Sequence, residues 1–122
     1  MLLLDTNAIL RYVLQDNQIM ADEVERQLSC NICFVPVEVV AEVIYVLLKV
    51  YKVDRDVIAK TVTDIMSEHN ITVAHESVVL HALRIFASTT IDFVDCLLAG
   101  YAKKEGYTVL TFDKKLQKLL NE

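Results

Sequence analysis

The chain predicts an α/β fold built round a parallel sheet, on three observations. Short apolar runs of strand length alternate with longer stretches whose apolar residues recur at helical spacing. With 54% hydrophobic residues but two glycines and one proline in 122 residues, the connections between those stretches must be short. Two acids, Asp5 and Asp113, directly follow apolar runs, Met1 to Leu4 and Tyr107 to Phe112. Acids so placed fall at the carboxyl ends of buried strands, the edge at which open α/β sheets bind ligands.

Taken in order, Leu2 to Leu4 reads as a first strand, followed by a helix from Thr6 through Leu14 and another from Gln18 to Leu28, with Asp16-Asn17 as the break between them. Ile32 to Val35 reads as a second strand, after which Pro36 suits the first turn of a helix running to Val50. Asp54 opens a further helix with Val57, Ile58, Val62, Ile65 and Met66 at helical spacing. Ile71 to Ala74 is a third strand, Glu76 to Ala87 a helix, Asp92 to Lys104 another, and Thr108 to Thr111 a fourth strand, with Gly106 where a helix C-terminal cap is expected. Asp113 then precedes a short helix. Strands separated by helices make parallel pairing with right-handed crossovers the economical arrangement. No linker or internal repeat interrupts the pattern, so residues 1–122 read as one domain, large enough to bury a core without staples.

Composition narrows the class. No apolar run approaches the roughly 20 residues of a membrane span, and Met1-Leu2-Leu3-Leu4 meets an acid at once, which argues against a secretory signal and for a cytoplasmic location. Three cysteines, an odd number, read as reduced thiols. The Cys30-Cys33 spacing has no second pair to complete a zinc site. His69, His75 and His81 match no metal motif, and Tyr45, Tyr51 and Tyr101 suit packing against their own domain better than stacking on bases. A net charge of −5 argues against a nucleic-acid partner only if it is read globally. Basic residues bunch at Lys103-Lys104, at Lys114, Lys115 and Lys118, and at Lys49, Lys52 and Arg55, with Arg11 alone, which allows a basic rim round an acidic pocket. A mean hydropathy of +0.38 is high for so small a domain. Apolar helix surface is therefore expected to meet another chain, with 37–50 and 54–66 as the candidate faces of a homodimer.

The acids carry the chemistry. Glu42 lies in a helix with apolar residues on nearly every face, an expensive place for an unpaired charge if it is buried. Glu38 and Glu42, four apart, otherwise form an ordinary solvent stripe. Asp92 and Asp95 share a face near a helix N-terminus, where negative charge is favoured. Thr89-Thr90-Ile91-Asp92 resembles a capping box that would occupy Asp92, whereas Asp95 leads into the apolar Cys96-Leu97-Leu98-Ala99. Asp5-Thr6-Asn7 and Thr111-Phe112-Asp113 each place acid and hydroxyl groups at a strand-to-helix turn, as ligands or as caps. An all-oxygen constellation of this kind fits Mg²⁺ or Mn²⁺ better than zinc.

The order Asp5-Thr6-Asn7, mid-helix Glu42, Asp92-Phe93-Val94-Asp95 running into Leu97-Leu98-Ala99, and Thr111-Phe112-Asp113 resembles the PIN domain, and within it the small VapC-type nucleases. The resemblance spans residue 3 to about 120. It implies a three-layer α/β/α sandwich with a central parallel sheet of four or five strands, and metal-dependent endoribonuclease activity. It also implies that Asp5, Glu42, Asp95 and Asp113 are the acidic ligands of Mg²⁺ or Mn²⁺, supported by Thr6, Asn7 and Thr111, with Asp92 an accessory that competes with Asp95 for the third position. The same resemblance implies an RNA substrate, a homodimer, and the role of a toxin silenced by a cognate antitoxin. Two rivals remain. A haloacid-dehalogenase-type phosphatase wants a second aspartate two residues after the first, where Asn7 stands. A non-catalytic module of the same fold would use its pocket to bind RNA or protein.

Overall fold

A computed structural model describes residues 1–122. The elements run β1 (Leu2–Leu3), α1 (Thr6–Leu14), α2 (Gln18–Cys30), β2 (Cys33–Val35), α3 (Val37–Lys49), α4 (Arg55–Met66), β3 (Ile71–Val73), α5 (Glu76–Ser88), α6 (Phe93–Glu105) and α7 (Lys114–Leu120). The result is a helix-rich α/β fold on a parallel sheet, in the class that the sequence predicts. The strands lie in the order β1-β2-β3. Leu2 pairs with Cys33 and Leu3 with Phe34, then Cys33 with Ile71, Phe34 with Thr72 and Val35 with Val73.

The helix boundaries follow local chemistry. The Asp5 carboxylate accepts the N–H of Ala8 at 2.8 Å and the Asn17 side chain that of Met20 at 3.1 Å, which starts α1 and α2. Pro36 stands just before α3, and Gly106 closes α6 in the left-handed region at φ +74°. The Asp16-Asn17 break is pinned from α1, where Arg11 Nη1 donates to both carboxylate oxygens of Asp16 at 2.8 and 2.9 Å.

The expected fourth strand, Thr108 to Thr111, does not form: the sheet has three strands, and residues 106–113 carry neither helix nor strand. No backbone group of Tyr107 to Phe112 joins a backbone hydrogen bond, and Leu110 and Phe112 are 87% and 90% exposed. The edge strand β1 is two residues long and offers too few ladder bonds to fix a neighbour.

One contiguous core joins the layers, with Phe86, Ile44, Leu47, Ile58, Leu83 and Leu116 almost wholly buried. Helix α3 buries Val40, Val43, Ile44 and Leu47 and turns Glu38, Glu42, Tyr45 and Lys49 to solvent. Its two acids are therefore a solvent stripe, and the expectation of a buried Glu42 is corrected: no charged side chain lies in the core, because a stripe along one face lets each keep its water. No helix is long and apolar enough to cross a membrane. All three cysteines are free. Cys33 and Cys96 are buried, while Cys30 is exposed at the end of α2. Burial pushes the Cys96 thiol up to about 12, so it is inert at neutral pH.

Helices α5 and α6 meet at Gly100, where an added Cβ would sit 2.8 Å from the Val78 carbonyl oxygen and 3.0 Å from its Cγ1. Alanine ordinarily stabilises a helix interior over glycine by up to about 1 kcal/mol, but overpacking against backbone costs about 1–3 kcal/mol. Gly100→Ala should therefore lower the melting temperature in thermal denaturation. A melting temperature equal to or above that of the wild type would contradict the close approach of α5 and α6.

Candidate metal and phosphate site

A cleft of about 430 Å³ opens where α6 and α7 begin, lined by Thr90, Ile91, Asp92, Asp95, Asp113, Lys114 and Lys115. Each acid is placed by a different local rule. Asp92 occupies the N-cap position of α6, yet its side chain accepts no hydrogen bond from the helix, so the capping role suggested by Thr89-Thr90-Ile91-Asp92 is not performed and the carboxylate is exposed to the cleft. Asp95, one turn on, is half-buried because the neighbouring positions Phe93, Cys96 and Leu97 face the core. Asp113 does cap: its Oδ1 accepts the N–H of Leu116 at 2.9 Å, leaving Oδ2 free. Thr111 shapes that turn, its Oγ1 accepting the Asp113 N–H at 3.1 Å and its carbonyl the Gln117 side chain at 2.8 Å.

The electrostatics of the cleft are one-sided. Burial first, then the carboxylates of Asp113 and Asp92, hold the Asp95 carboxyl above its ordinary range. None of the three acids takes part in an ion pair, although Lys114 and Lys115 stand on the same wall. Oxygen donors without a cationic partner, one of them already reluctant to ionise, fit a hard divalent cation. The structure brings these three acids round one cleft without converging them: nowhere are three or more His, Cys, Asp or Glu side chains gathered closely enough to form an assembled metal cage.

The other expected residues lie elsewhere. Asp5 is exposed at the end of β1, its carboxylate engaged with the start of α1, where Thr6 is half-buried and Asn7 exposed. Glu42 is exposed on α3 with no hydrogen-bond or ionic partner. Neither acid lines the α6–α7 cleft. Thr90 does line it and was not singled out by sequence. The pair of threonines just ahead of Asp92 was the available signal. His81 is half-buried at the α5–α6 edge, and Tyr101 makes edge-on contacts with His75 and Tyr107, at ring centroid distances of 5.4 and 6.0 Å.

The raised Asp95 sets a direction for stability. An acid whose proton is held more tightly in the native chain than in the unfolded one costs stability as pH rises from the ordinary aspartate range through the raised value. In metal-free protein at neutral pH, Asp95→Asn removes that cost. The variant should melt above wild type there, with the gap closing toward acid pH. A variant that melts at or below wild type at neutral pH would contradict the crowding.

The family model described as PIN domain matches residues 2–120. A VapC ribonuclease of Aquifex aeolicus (strain VF5) is 32% identical over 87 residues, 70% of this chain. The aligned region spans 64% of that relative's own length. No solved structure gives a significant match. With the match covering nearly its whole length, the chain belongs to the PIN domain family.

Proposed function

We propose that the chain is a divalent-metal-dependent endoribonuclease that hydrolyses RNA phosphodiester bonds, acting in the cytoplasm as the toxin of a type II toxin–antitoxin pair. The observation that carries this reading is the α6–α7 cleft, where Asp92, Asp95 and Asp113 stand without cationic partners beside Lys114 and Lys115. Family membership and similarity to a protein named VapC ribonuclease support it.

Asp95 and Asp113 are assigned as ligands of Mg²⁺ or Mn²⁺, with Asp92 beside them. Asp5 and Glu42 enter through the order of their motifs, as the acids that complete the set, with Thr6, Asn7 and Thr111 supporting the turns that carry Asp5 and Asp113. A bound divalent cation supplies the charge stabilisation and the water activation that phosphodiester hydrolysis needs near neutral pH. The residues of the chain do the rest. Lys114 and Lys115 draw in backbone phosphates as point charges, which offsets the repulsion between a polyanion and a protein of net charge −5. The Thr90 hydroxyl offers a donor to a phosphate oxygen, and Asp92, unspent on its helix, orients groups at the cleft mouth. Exposed Tyr45, Val50, Tyr51 and Val57, on and between α3 and α4, supply apolar surface for a second copy or an antitoxin.

A non-catalytic binding module of the same fold is the second reading, favoured by Asp5 and Glu42 lying outside the cleft. Incubating total cellular RNA with purified protein separates the two. Under the nuclease reading, Mg²⁺ or Mn²⁺ yields discrete fragments that vanish with EDTA and with Asp95→Asn, whereas Asp5→Asn tests whether the strand-end acid belongs to the same site. Equal background with wild type, EDTA and Asp95→Asn would favour the binding module.

A further inference from the structure

Arg55, at the start of α4, makes a set of contacts that packing alone does not require. Its Nη1 donates to three backbone carbonyls, Phe86 O at 3.2 Å, Thr89 O at 2.9 Å and Ile91 O at 2.8 Å. Its guanidinium carbon lies 4.2 Å from the centre of the Phe86 ring, and that ring meets Phe93 edge-on at 5.8 Å. The three carbonyls belong to the last turn of α5 and to the connection into α6. Within that connection the Thr89 hydroxyl donates to Ile85 O at 2.8 Å and accepts the Ile91 N–H at 3.2 Å. One half-buried cation thus gathers the orphan carbonyls at the end of α5 and fixes the residue immediately before Asp92.

A helix start is ordinarily fixed by its own N-cap side chain, but the Asp92 carboxylate makes no such bond. The start of α6 is held from outside instead, by Arg55 on the Ile91 carbonyl and by Phe86 against Phe93. That arrangement leaves the Asp92 carboxylate free for the cleft and sets the rotation of α6 about its axis, which aims Asp95.

We propose that Arg55 is a positioning residue for the acidic cleft, clamping the α5–α6 turn so that Asp92 and Asp95 face the bound ion and the scissile phosphate; this role rests on the nuclease reading above. Lysine is a poorer clamp, because its ammonium, although it carries three donors, rides on a flexible stem and lacks the planar guanidinium whose carbon stands over the Phe86 ring.

The test compares wild type, Arg55→Lys and the milder Thr89→Val, which removes the hydroxyl from the same turn. Three quantities are read for each: melting temperature, the dissociation constant for Mn²⁺ by electron paramagnetic resonance, and kcat and KM for cleavage of a defined RNA. Arg55→Lys should lose about tenfold to a hundredfold in kcat and weaken Mn²⁺ binding, with KM little changed. Thr89→Val should move the same readouts in the same direction by less, and it carries the test if Arg55→Lys does not fold. Folded variants that melt lower yet retain wild-type Mn²⁺ affinity and kcat would show a purely structural clamp and overturn the proposal. A wild-type protein that neither binds Mn²⁺ nor cleaves RNA would overturn the nuclease reading, and this role with it.

Discussion

Repulsion between like charges at the start of α6 is the constraint on which the site depends. Asp92, Asp95 and Asp113 come from two helix starts that are separated in sequence by the whole of α6 and the loop after it, and they face one cleft without an ion-pair partner for any of them. Asp95 registers the conflict, its carboxyl held up by burial and by the two neighbouring acids. A domain can maintain such an arrangement only if the elements carrying the acids are fixed by something stronger than local preference. Here that is the core beneath them: Phe93, Cys96 and Leu97 anchor the first turns of α6, and the almost fully buried Leu116 anchors α7 one turn after Asp113. The charged rim is unfavourable in the absence of a counter-ion, and the apolar floor outweighs it.

Helix α6 is in turn set by α5. The absence of a side chain at Gly100 lets the two helices approach until the Val78 carbonyl would touch a methyl group there. Gly100 therefore fixes the far half of α6, while the turn gathered by Arg55 fixes its start. A displacement at either place is carried along a rigid helix to the carboxylates, so residues distant from the cleft share in its geometry.

Much of this was legible in the sequence, and the reasons differ by element. The helices read well because amphipathic spacing, Asp5, Asn17, Pro36 and Gly106 are local signals with local causes. The strands Cys33–Val35 and Ile71–Val73 read well as short apolar runs between them. Tyr107 to Phe112 has the composition of a strand but lacks one here, since pairing depends on a neighbour with enough backbone to offer and β1 supplies two residues. Glu42 misled for a related reason: composition described α3 as apolar all round, whereas burial is decided by which face meets the core, and Glu38, Glu42, Tyr45 and Lys49 form the face that does not. Of the candidate acids, Asp95 and Asp113 stand at helix starts on one cleft, Asp113 without the strand expected before it, while the Arg55 clamp was invisible because its partners are carbonyls 31 to 36 residues away.

Paramagnetic broadening of backbone amide resonances by substoichiometric Mn²⁺ locates directly a divalent cation taken up by the α6–α7 cleft. A cation held in that cleft broadens the amides of Asp92 to Cys96 and of Asp113 to Lys115 first, with Ala8 joining them if Asp5 completes the site. Broadening confined to other acidic surface, such as Asp22 and Glu25 on α2 or Asp56 and Asp64 on α4, would contradict that placement.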